Sequence, residues 1–131
     1  MMTKEEFYQH TQPKTVGPLE GIVVVEACTT YAGPVAGAEL ADMGAEVIKC
    51  ELPGSGDICR LFGPRVPNAP ELDGGAPFLS INRNKKSITL NFHHAQGQEI
   101  FRQLASRADI VLENFRPGAM VFHGCGIGFR I

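Results

Sequence analysis

The 131 residues predict an α/β domain built on a mainly parallel sheet with helices packed against it. Three observations carry that reading. Short apolar runs rich in β-branched residues recur at strand length. Segments with helical spacing of apolar residues lie between them. The first such strand, helix and strand fit a single βαβ unit, whose crossover should be right-handed.

Residues 1–17 show little periodicity and end before Pro18, so they read as an N-terminal arm. GIVVVEAC at 21–28 is an apolar run suited to a strand buried on both faces. The turn TTYAGP at 29–34 follows. From Pro34 the residues Val35, Ala38, Leu40 and Ala41 fall at helical spacing, and Gly44 provides a stop, giving a helix of about ten residues. EVIKCE at 46–51 is the second strand. Residues 52–76 hold four of the nine prolines and several glycines and read as a long surface loop with little regular structure. Residues 78–82 suggest a short helix, 87–91 a strand, 95–107 an amphipathic helix with Ile100, Phe101 and Leu104 on one face, and 108–113 a last buried strand.

Composition narrows the function. Hydrophobic residues at 44% and charged residues at 20% are those of an ordinary globular domain. A net charge of −2 gives no general attraction for nucleic acid. The four cysteines, Cys28, Cys50, Cys59 and Cys125, form no CxxC pair and read as reduced and structural. Neither a signal peptide nor a membrane span is legible, so the expected compartment is the cytoplasm and no membrane partner is expected.

Ligands of open α/β sheets bind beyond the carboxyl ends of the strands. The turns at 29–33, 51–57 and 114–118 should meet there. Arg83, Asn84, Lys85 and Lys86 form the strongest local concentration of positive charge and suit phosphate, although a solvated turn explains them as well. Asn114, Phe115, Arg116, Pro117 and Gly118 set an amide, an aromatic ring and a guanidinium on a rigid turn, a set that suits a nucleotide-bearing ligand. The alternative is a turn whose Phe115 is core. Glu51 stands where dinucleotide enzymes keep an acid for ribose, but the first turn lacks GxGxxG, which weakens an NAD reading. GCGIG at 124–128 is not that fingerprint either. His93 and His94, or His123 near Cys125, do not complete a metal-ligand set, so no metal is expected.

Taken together, PLEG at 18–21, Val25-Glu26, YAGP at 31–34, LADMGAEVIK at 40–49, GSGD at 54–57, NRNKKS at 82–87 and ENFRPG at 113–118 resemble the start of family III CoA-transferases. Formyl-CoA transferase belongs to that family and α-methylacyl-CoA racemase is a relative. The resemblance covers 18–120 as the N-terminal, CoA-binding part of a large domain, and leaves 121–131 as an atypical end. It implies a Rossmann-like fold and full-length members that are interlocked homodimers. It also implies transfer of CoA from an acyl-CoA donor to a carboxylic acid acceptor through an aspartyl intermediate. The coenzyme-binding residues it points to are Tyr31, Ala32, Arg83, Asn84, Lys85, Leu90, Asn114, Phe115 and Arg116. The family's catalytic aspartate belongs beyond the Arg-Pro-Gly turn, so no catalytic residue is assigned here, and a truncated, inactive chain is expected. Phe122 and His93 replace basic residues of some members. A racemase-like fragment and a non-catalytic CoA- or nucleotide-binding module are the alternatives.

Overall fold

The structure, a computed structural model, describes residues 17–68, 74–122 and 124–125. The elements are β1 (Val23–Ala27), α1 (Ala32–Asp42), β2 (Glu46–Glu51), a 3₁₀ helix (Ile58–Leu61), α2 (Ala76–Ile81), β3 (Lys86–Thr89), α3 (Ala95–Ala105), β4 (Ile110–Glu113) and α4 (Ala119–Phe122). The expected arm up to Val16, and the part of the expected C-terminal end comprising His123 and 126–131, lie outside the described residues. No helix among those described is long and apolar enough to cross a membrane.

The four strands form one sheet in the order β3-β2-β1-β4, and every neighbouring pair is parallel. Strand side chains alternate between faces, and the two faces are covered differently. Val25 and Ala27 of β1 join Cys50, Leu90, Phe92 and Phe101, so α3 covers that side. Phe92 and Phe101 meet edge to face, with centroids 5.2 Å apart. On the other side Val24 and Val47 pack against Ala41 and Ala45, at and just beyond the end of α1. With α1 and α3 on opposite faces, the connections diverge at β1 and β4. That divergence makes their carboxyl ends the switch point where α/β sheets open a crevice.

The boundaries depart from the sequence reading in two informative places. α1 starts at Ala32, so Pro34 lies within the first turn, where its missing N–H has no intrahelical use. Of the expected loop at 52–76, the described part around residues 57–61 is anchored to the fold rather than solvent-borne. Asp57 caps the 3₁₀ helix by accepting from Cys59 N, and Cys59 forms a small core with Phe78 and Ile81 of α2.

Candidate functional site

The carboxyl ends of the strands enclose a cleft of about 240 Å³. Thr29 comes to it from the turn after β1, Glu51 and Asp57 from the end of β2 and its loop, Phe92 and His93 from beyond β3, and Phe115 from beyond β4. A larger hollow, about 360 Å³, lies at the opposite end of the sheet beside Gly44, Glu46 and Lys86. The smaller cleft is the better candidate, because it sits at the switch point and four loops converge on it.

Beneath the cleft, on the α1 face, runs a chain of buried charges. Glu26 and Lys49 are register partners on β1 and β2, and their side chains pair at 2.9 Å. Lys49 Nζ also reaches Asp57 Oδ2 at 3.0 Å and donates to Cys28 O at 3.0 Å. The second oxygen of Glu26 is held by Lys85 Nζ at 2.8 Å, and the same ammonium donates to Pro34 O and Asn82 Oδ1. Further along, Glu51 accepts from Arg60 at 2.8 Å on both oxygens, from Ser87 Oγ at 2.7 Å and from Asp57 N at 2.9 Å. The Arg60 guanidinium stacks 3.7 Å from the Phe78 ring centre. Three acids face three bases, so each buried charge has a counter-charge, which burial demands.

The electrostatics follow from that pairing. Burial alone would raise the Glu51 carboxyl, but the bonds from Arg60, Ser87 and Asp57 N–H outweigh it and hold its pKa at about 2. Burial disfavours charge on Lys49, yet Glu26 and Asp57 overcome this and leave its pKa raised. Lys85 goes the other way, because burial exceeds the help from Glu26. Burial, reinforced by Glu26, pushes the Cys28 and Cys50 thiols up to about 12.

The residues singled out from sequence divide into two groups. Asn114 and Phe115 reach the cleft side, but the amide of Asn114 has a use of its own. Its Oδ1 accepts from Thr29 N at 3.0 Å and its Nδ2 donates to Thr29 O at 2.8 Å, tying the last turn to the first. Phe115 is half-buried against the α3-side core while it walls the cleft. Tyr31 caps α1 without a side-chain hydrogen bond to the helix and is exposed, as are Ala32 and Arg116. Leu90 is buried beyond β3.

The basic segment is not gathered with them. Arg83 binds Asp42 and Glu39 in the last turns of α1, and Asn84 donates to Asp42 at 2.6 Å. Those acids lie near a helix C-terminus, where negative charge is disfavoured and a guanidinium relieves it. Only Lys85 turns inward, to Glu26. Glu51 is likewise committed to Arg60 and Ser87, which removes it as a ribose ligand. His94 caps α3 through Gln96 N, and no group of three or more metal-ligating side chains gathers among the described residues.

The sequence reading passed over the ionic chain. Its signal was visible as Glu26, Lys49 and Glu51 inside runs otherwise apolar enough to be buried on both faces. At period two, Lys49 and Glu51 share a face, and charges in such strands are tolerated only when paired.

Comparisons with known proteins agree with this architecture. The sequence profile of CoA-transferase family III matches residues 19–129. Succinyl-CoA:glutarate CoA-transferase of Mus musculus is 43% identical over 109 residues, covering 83% of this chain and 24% of the mouse protein. The succinyl-CoA–L-malate CoA-transferase beta subunit of Chloroflexus aurantiacus is 40% identical over 112 residues, covering 86% of this chain and 27% of that subunit. A CAIB/BAIF family protein from Brucella suis superposes with a TM-score of 0.77 at 40% identity, over 86% of this chain and 30% of that one. The chain spans about a quarter of the length of the curated relatives it matches.

Proposed function

Given that the chain belongs to CoA-transferase family III, we propose that it forms the coenzyme-holding wall of an enzyme that moves CoA from an acyl-CoA donor to a carboxylic acid. The observation that carries this is the cleft at the β1/β4 switch point, walled by Phe92 and Phe115, with its first and last turns tied together through Thr29 and Asn114. An aromatic wall offers a flat face to adenine. Tyr31 and Ala32 at the start of α1, and Arg116 in the last turn, are exposed and would meet the remainder of the coenzyme, arginine being suited to phosphate. Residues 18–120 constitute this coenzyme-binding part.

The nucleophile is a separate matter. A carboxylate that attacks a thioester must be accessible and uncommitted. Asp42 is engaged by Arg83 and Asn84, Asp57 is buried against Lys49, and Asp109 accepts from Val23 N at the amino end of β1. We therefore assign the aspartyl intermediate to none of these three. The chain alone is then expected to bind CoA without turning it over; its fourth aspartate, Asp73, lies outside the described residues.

Calorimetric titration with CoA, acetyl-CoA and NAD tests the binding half, and CoA and acetyl-CoA are expected to bind in preference to NAD. Preference for NAD would reject it. Incubation with succinyl-CoA and a free dicarboxylate tests the other half, where turnover by the chain alone would show that one of its own carboxylates serves.

A further inference from the structure

We propose that Asp57 is a positioning residue: one oxygen of its carboxylate fixes the Thr29–Thr30 turn in the shape that the ligand meets, and the other is anchored by Lys49. The ligand here is CoA, so this rests on the reading of the cleft given above. Asp57 Oδ1 receives three donors, Cys59 N at 3.0 Å, Thr30 N at 3.1 Å and Thr29 Oγ1 at 3.3 Å. Capping of the 3₁₀ helix accounts for the first. The other two come from a turn more than twenty-five residues away in sequence, and capping does not explain them.

Thr30 explains why such a clamp is needed. Its φ is +69°, the left-handed region, which a β-branched residue enters only when its surroundings over-determine it. The Asp57 carboxylate is fully buried, with Lys49 at Oδ2, and the residue's backbone N–H donates to Glu51 Oε2, which fixes it from the other side. Gly56 lets the chain deliver it. At φ +62° a Cβ there would lie 2.7 Å from Arg60 Nε and 2.8 Å from Glu51 Oε2. The turn is therefore gripped from two sides, by Asn114 at Thr29 and by Asp57 at Thr30, so that its backbone is rigid before a ligand arrives.

The acceptor can be separated from the charge. Removing Lys49 and the Asp57 charge together leaves Glu26 paired with Lys85 and Glu51 paired with Arg60. In the 131-residue chain, K49M/D57N keeps an oxygen facing Thr30, whereas K49M/D57A does not. Two measurements are made on each: CoA affinity by calorimetry and exchange of the Thr30 amide by NMR. K49M/D57N is expected to bind within about threefold of the parent with Thr30 still protected. K49M/D57A should bind about tenfold more weakly, the equivalent of one lost hydrogen bond, with Thr30 exchanging faster while β1 amides remain protected. Equal weakening in both variants, or a protected Thr30 in K49M/D57A, overturns the proposal. Should K49M/D57A not fold, K49M/D57N still decides, since loss of its affinity or of Thr30 protection is fatal. Should the parent chain not bind CoA, the coenzyme reading fails on its own, and the Thr30 exchange comparison alone settles the clamp.

Discussion

Glu51 shows how much a single buried carboxylate can weigh. Folding lowers its pKa from an ordinary 4.5 to about 2, so its contribution is present in full above about pH 4.5 and drains away as pH falls towards 2. That shift corresponds to about 3 kcal/mol. Glu51→Gln should be less stable at neutral pH and should lose the steep part of the acid limb between those values. Urea melts across that range test it, and parallel slopes for the two proteins would refute it. Gly37 makes a second case, in which two effects oppose. Alanine is the better helix former by about 1 kcal/mol, yet a Cβ at 37 would collide with Glu26 Oε2 and lie 3.2 Å from Lys85 Nζ. Overpacking against a buried ion pair should win, so Gly37→Ala is expected to lower stability by about 2 kcal/mol; a rise in the melting temperature would show that α1 shifts to make room.

At the level of elements, the strands and helices were legible because their periodicities and punctuation agree with one another. The run at 21–28, Gly44 and the pattern at 95–107 each place an element within a few residues of where it lies. The site was legible only in part, for a physical reason: sequence shows which groups carry charge but not where those charges are spent. Arg83 is drawn off by Asp42 and Glu39 across 41 and 44 residues of chain. Glu26 and Lys49 meet only because β1 and β2 pair in parallel with that register. Breaking their chain at one point should be costly. Lys49→Met leaves Asp57 without its counter-ion and is expected to destabilise the fold by about 3–5 kcal/mol. The double change K49M/D57N should recover a substantial share of that, and additive losses in chemical denaturation would argue that the two residues act independently.

Taken as a whole, the sheet ends in β3 on one side and β4 on the other, and Ile58, Leu61, Val66 and Leu79 expose apolar surface around the 3₁₀ helix and α2. Open edges and apolar patches favour association. The 131-residue chain is therefore expected to show an apparent mass that rises with concentration in light scattering after size exclusion, and a monodisperse monomer at all concentrations would count against this. The two ties on the first turn differ in reach along the chain. Asp57 lies 27 residues from Thr30, whereas Asn114 lies 85 from Thr29. During synthesis from the N-terminus, the nearer tie can form while β4 is still being made; the farther one waits for the last strand to dock. In pulse-labelled refolding the Thr30 amide should become protected before that of Thr29, which should appear together with β4. The cleft whose first wall comes so early in sequence is thus finished late in time, and a nascent polypeptide stalled before residue 114 would carry a sheet without the tie and the Phe115 wall that complete it.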